Sequence, residues 1–162
     1  MGKPGLKVIS LFLLLIGIVS AVASCVEKQK DTEEYLEFNS GGENHPSGYG
    51  AWYVRLCGDG SLLVVHSVGE ETKSRDAFVL TKYEARKLFS LFCAVDIKRM
   101  ETYIRPGVPD EVRYSFSLKD GSGVYNKSVW INDARKNTAI MALVAYLETI
   151  IEKYTGIKPV MR

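Results

Sequence analysis

Few residues in this chain are of types that do chemistry. Beyond the first 25 positions the thiols are Cys57 and Cys93, and the imidazoles are His45 and His66. A nucleophilic thiol needs a base within hydrogen-bond reach. Cys57 and His66 fall on opposite arms of one expected hairpin, about four residue pairs apart, roughly 13 Å at 3.3 Å per residue. That spacing excludes a dyad and leaves Cys57 as a small packed hydrophobe and His66 as a strand residue near Tyr53 or Trp52. Metal binding needs clustered ligands, and Glu43-Asn44-His45 offers one imidazole and one carboxylate. Gly41-Gly42 precedes a strand rather than opening a helix, so no phosphate cradle is expected. Asp110 and Glu111 are adjacent, which on a strand sends them to opposite faces. The expectation is no catalytic residue, no metal and no cofactor.

The remaining cysteine, Cys25, follows the basic start Met1–Lys7 and the apolar run Val8–Ala21. That length suits a secretory signal. Val22-Ala23-Ser24-Cys25 resembles the lipobox of bacterial lipoproteins: an aliphatic residue, two small residues, then cysteine. The resemblance implies export, cleavage before Cys25 and lipid on its thiol. Two alternatives stand beside it. A spanning helix needs about 20 apolar residues, reached here only by including Ser10, Ser20, Ser24 and Cys25. Cleavage at Ala21, Ala23 or Ser24 would release a secreted domain. N-myristoylation is excluded, because Leu6 stands where Ser or Thr is required. The expected organisation is a signal peptide over 1–24, a polar lipid-anchored tether over 25–34, and one domain over 35–156. Val26 is not the aspartate associated with inner-membrane retention, so the outer membrane is expected where the organism has one.

Loss of residues 1–24 removes Lys3 and Lys7 and leaves 19 basic against 19 acidic residues. With no cationic excess to follow a phosphate backbone, nucleic acid is not an expected partner. The expected partners are the membrane, through lipid on Cys25, and another envelope protein. An oxidising compartment permits a Cys57–Cys93 disulfide. Against it, Cys93 lies about 140° around its helix from Leu88 on the apolar face.

The elements follow from hydrophobic period and turn chemistry. Tyr35–Asn39 reads as a short strand. Residues 51–57 and 61–66 flank Gly58-Asp59-Gly60, a hairpin signal; with Asp59-Gly60 as the turn, Leu56 faces Leu63 and Val54 faces Val65. A polar link over 69–76 leads to a strand over 77–80. Thr81-Lys82-Tyr83-Glu84 fits a capping box for a helix from Lys82 to about Cys93. A second hairpin, 111–118 and 124–131 around Lys119-Asp120-Gly121, should bury Val112, Tyr114, Phe116 and Leu118. The last helix carries Ile140, Leu143, Val144, Leu147, Ile150 and Ile151 at helical spacing, with Asp133 or Asn137 as its cap. The expected class is α+β: an antiparallel sheet with two helices on one face, in strand-(ββα)-(ββα) order, which suggests an internal duplication. Trp52 and Trp130 are expected in the core.

Two loops stand out as recognition elements. The first, residues 41–50, has five glycines or prolines and displays Glu43, Asn44, His45 and Tyr49. The second holds Tyr103, Arg105, Pro106 and Pro109, its prolines keeping it extended. The layout of Phe38-Asn39-Ser40-Gly41-Gly42, Gly58-Asp59-Gly60, Leu80-Thr81-x-x-Glu84 and Lys119-Asp120-Gly121 looks like that of a loose group of small bacterial domains, many of them uncharacterised lipoproteins. One characterised branch of that group, emfourin, inhibits thermolysin-like metalloproteases. The resemblance implies an envelope lipoprotein with a binding domain, or a protease inhibitor presented at the membrane. Because the loop holding Glu43-Asn44-His45-Pro46 is long where emfourin's is short, no inhibitory residue carries over. A small hydrolase or thiol enzyme is the remaining reading.

Overall fold

A computed structural model describes residues 34–42, 44–45, 48–101 and 105–161. Cys25, the apolar run, the tether up to residue 33, Glu43 and Tyr103 lie outside the described residues. The fold is α+β, built on a six-stranded antiparallel sheet. Strands β1 (Tyr35–Asn39), β2 (Ala51–Cys57), β3 (Ser61–Val68) and β4 (Glu71–Val79) precede helix α1 (Lys82–Val95). Then come β5 (Arg113–Asp120), β6 (Gly123–Trp130), a single turn α2 (Ile131–Ala134) and α3 (Thr138–Thr155). The sheet order is β4-β3-β2-β1-β5-β6, so the short first strand is central and pairs with both β2 and β5.

Three local expectations are corrected. The polar stretch expected to be a link is most of β4, paired along its length with β3. As an edge strand it has one neighbour, and charged residues such as Lys73 and Arg75 suit an edge that must not recruit another chain. A third strand therefore stands between the first hairpin and its helix. The first hairpin pairs Leu56 with Leu62 and Val54 with Val64, one residue from the expected register. Its loop has three residues: Gly60 N–H donates to the Cys57 carbonyl at 2.9 Å, and Gly60 alone of Asp59 and Gly60 has positive φ. A two-residue type I′ turn would need positive φ at both. One register step exchanges sheet faces, so Leu62 and Val64 are buried in place of Leu63 and Val65. The third correction is Trp130, which is part-buried under a loop, whereas Trp52 is 2% exposed.

The capping box forms as the sequence predicts: Thr81 Oγ1 accepts from Glu84 N–H, and the Glu84 carboxylate accepts from Thr81 N–H at 3.0 Å. Asn137, rather than Asp133, caps α3 through the amides of Ala139 and Ile140. Helices α1 and α3 pack against each other. Leu88 and Phe92 of α1, Leu143, Leu147 and Ile151 of α3, and Phe38, Val54, Leu62 and Phe116 of the sheet join one hydrophobic cluster. The fold also runs past residue 156, the expected end of the domain. Met161 is buried, its carbonyl accepting from the Tyr114 hydroxyl and its amide donating to Glu148. Cys57 is buried, Cys93 is exposed, and both are free thiols.

Candidate functional site

Both loops singled out above lie at one end of the sheet, where β1 finishes and β5 begins. The first is built by glycines and pinned at both feet. Asn39 Oδ1 accepts from Gly41 N–H at 2.7 Å, and Ser40 exchanges hydrogen bonds with the backbone of Trp52. Gly41 has φ +61°, and a Cβ there would lie 2.5 Å from the Arg113 carbonyl oxygen, so the loop base presses on β5. At the other foot, His66 Nε2 donates to the Tyr49 carbonyl at 2.9 Å. Its ring stacks on Trp52, 4.2 Å between centroids and nearly parallel. His66 is therefore a positioning residue for the loop. It pairs with Trp52 on β2, five residues along from Cys57, which separates thiol from imidazole by about 16 Å.

The second loop is organised by Arg105. Its guanidinium grips Glu111 with two parallel hydrogen bonds, 2.9 and 2.7 Å, and its Nε donates to Asp133 Oδ2 at 2.7 Å. Bidentate pairing fixes orientation as well as distance. Glu111 also accepts from the amides of Val108 and Asn132. The Arg105 guanidinium, against the opposing effect of desolvation, holds the Glu111 carboxyl at about 2. Hydrogen bonding to Glu111 raises the pKa of Arg105 in turn. Glu111 is thus ionised at neutral pH and fully engaged by donors.

Between Arg105 and Glu111 the chain makes a β-turn, with Glu111 N–H donating to the Val108 carbonyl at 3.1 Å and Asp110 at φ +62°. Proline at the second position and positive φ at the third are the marks of type II. Trp130 closes the loop from beneath: its Nε1 donates to the Arg105 carbonyl at 3.0 Å, and a Cβ on Gly107 would fall 2.5 Å from its ring. Arg113 covers the ring 3.9 Å from its centroid. The described part of the loop is therefore not the extended segment expected. It is a clamped turn that leaves Pro106, Val108, Pro109 and Asp110 exposed.

An open cleft of about 470 Å³ separates the two loops. Asn44 and His45 line it from one side, and Asp110, Glu111 and Arg113 from the other. Tyr49 is exposed nearby on the first loop, while Arg105, Pro106 and Pro109 lie outside the cleft lining. Among the described residues no group of three or more His, Cys, Asp and Glu is placed to hold a metal, and no helix is long and apolar enough to cross a membrane. Sequence reasoning missed Glu111, Arg113, Trp130 and Asp133 as the frame of the second loop. The available signal was an arginine and a glutamate flanking a Pro-Gly-x-Pro segment.

The end of the sheet opposite the loops is where β1 begins. Tyr35 pairs there with Cys57 and Lys119, beside the two hairpin turns. No model of a known protein family matches the chain, and no curated protein matches it either.

Proposed function

We propose that this chain is an exported bacterial lipoprotein, cut before Cys25 and held by lipid on that thiol, whose domain binds another envelope protein without catalysis. What carries the binding half is the pairing of two braced, exposed loops at the end of the sheet farthest from Tyr35. A chain tethered ahead of Tyr35 would turn those loops away from the membrane, toward a partner. Rigid loops bind at lower entropic cost than mobile ones, because less ordering remains for the encounter. Residues Asn44, His45, Tyr49, Pro106 and Pro109 would make the contacts, with Arg105 setting the second loop. The lipidation half rests on the Val22–Cys25 pattern, and the outer membrane follows from Val26 where such a membrane exists. A mature domain with no net charge offers nucleic acid no foothold.

At the level of the fold, we infer that α1 and α3 cover the same face of the sheet. We also infer that the two hairpin–helix halves are copies of one ancestral unit, β4 being an addition to the first. The shared hydrophobic cluster supports the first inference, and the repeated Asp-Gly hairpins ahead of capped helices support the second.

Protease inhibition is the second reading, and the clamped base of the 105–111 loop favours it. A substrate mimic needs an extended backbone with free polar groups. Here the Val108 amide and carbonyl are both engaged within the turn, so such an inhibitor would block a cleft as a wedge.

The test begins with intact mass of the protein from native membranes beside a Cys25→Ser variant. A chain starting at Cys25 with added acyl mass, lost in the variant, is expected; unmodified mass overturns the lipoprotein reading. Photo-crosslinkers at Tyr49 and Val108 should then capture one envelope protein. Crosslinks no more specific than those from a control position on β4 would overturn the binding surface.

A further inference from the structure

At the other end of the sheet, an apolar groove of about 260 Å³ opens between the last turns of α1 and the start of β1. Leu36, Leu56 and Leu118 line it from the sheet, and Phe89, Phe92 and Cys93 from the helix. Phe89 is 49% exposed, so a large aromatic ring stands half in water at its edge. The groove is smaller than the usual drug-sized site of about 300–1,000 Å³. Its rim holds Glu34, Asp96 and Asp120 against Lys98 and Lys119, and Lys98 is already paired with Asp120 at 2.7 Å. Three carboxylates face two ammonium groups, so the rim has no cationic excess to draw a carboxylate or phosphate and suits a neutral, narrow, apolar occupant.

The groove adjoins Glu34, where the described chain begins. Residues 26–33, Val-Glu-Lys-Gln-Lys-Asp-Thr-Glu, carry one apolar side chain, Val26, and cannot fill it. Nine residues separate Cys25 from Tyr35, a reach of about 30 Å when extended. Resting on the proposed lipidation of Cys25, we propose that the groove receives one acyl chain of the protein's own lipid. An ester- or amide-linked chain is uncharged along its length and matches a rim without cationic excess. Burying methylenes and the exposed Phe89 ring together removes apolar surface from water on both partners. One acyl chain is held by the domain and the others remain in the bilayer, which seats the domain close against the membrane.

The experiment uses the full chain in its native host, fed a palmitic acid bearing a diazirine at the chain end, irradiated and mapped by mass spectrometry. The expected result is label at Cys25 and light-dependent bonds from that acyl chain to peptides containing Phe89–Cys93 or Leu118 of the same molecule. A Phe89→Lys variant, exposed enough to fold, should cut that yield at least fivefold with its melting temperature unchanged. Label at Cys25 with bonds only to bilayer lipid, another protein or a second copy overturns the groove proposal and leaves the lipoprotein reading intact. An unchanged yield in Phe89→Lys overturns it too. No label at Cys25 overturns the lipoprotein reading, and the groove proposal with it.

Discussion

Glu84 holds two helices together through one carboxylate, and its removal is the sharpest test of how this core is secured. It accepts from Thr81 N–H and Oγ1, from Lys153 Nζ at 2.5 Å and from the Tyr154 hydroxyl at 2.9 Å, joining the start of α1 to the end of α3. The residue itself is 7% exposed, whereas two of its donors, Thr81 and Lys153, belong to exposed residues that water reaches. Glu84→Gln keeps the shape but loses the charge and turns an amide group toward donors. Removing a charge-assisted hydrogen bond costs about 1.5–3 kcal/mol, and half a capping box about 1 kcal/mol. Lys153 is 56% exposed, and solvent screening discounts its share. The expected loss is about 2 kcal/mol at pH 7, or roughly 8 °C in melting temperature for a domain of this size.

The pH dependence gives a second, independent reading of the same carboxylate. Hydrogen bonding to Lys153, then to Thr81, lowers its pKa from 4.5 to about 2. A carboxyl depressed on folding stabilises the native state above its unfolded pKa, and that contribution fades as pH falls through the folded one. The gap between the parent chain and Glu84→Gln should therefore be constant from pH 7 to about 5.5 and shrink to roughly 40% of its value by pH 3. Urea unfolding of both proteins across that range measures it. A gap under about 0.5 kcal/mol at pH 7, typical of a neutral surface substitution, would refute the reasoning. So would a gap that does not shrink in acid.

Two further outcomes follow from the loops. In Arg105→Lys, one ammonium cannot grip both Glu111 oxygens and Asp133; proteolysis within residues 106–110 should quicken about tenfold as the turn opens locally, and the Glu111 pKa, followed by NMR, should rise from about 2. Unchanged cleavage would show that Trp130 alone secures the loop. Gly50→Ala should cost about 3 kcal/mol or more, because its Cβ would lie 2.2 Å from the Ser67 carbonyl oxygen. Gly48→Ala, equally left-handed but in open space, should cost about 1 kcal/mol; equal penalties in thermal unfolding would remove steric contact as the cause.

What the sequence revealed was local chemistry. Thr81 and Glu84 announce a helix start because a capping box is complete within four residues. The apolar rows of α3 announce a helix because burial repeats with its turn. The hairpin at Gly58-Asp59-Gly60 was legible but its register was not, since two glycines around an aspartate fit a loop of two residues or three. Strand β4 was hidden in part because residues 71–76 lie on an edge, where one side of the ladder stays in water and no apolar alternation is needed. The second loop was hidden for another reason. Arg105, Glu111 and Asp133 meet across turns, and ion pairs between loops leave no period in a sequence. The stacking of His66 on Trp52 was legible only as a neighbourhood, because both lie on strands of one hairpin.

The central place of β1 has a mechanical consequence. Any pull applied through the residues before Tyr35 acts along a strand paired on both sides, with β2 and with β5. Such a load shears two ladders together instead of unzipping one bond at a time, as it would if the chain left the sheet from an edge. Five residues shared between two neighbours thus make a stronger mooring than their number suggests. Under such a load, the sheet would yield at its edges before it released its central strand.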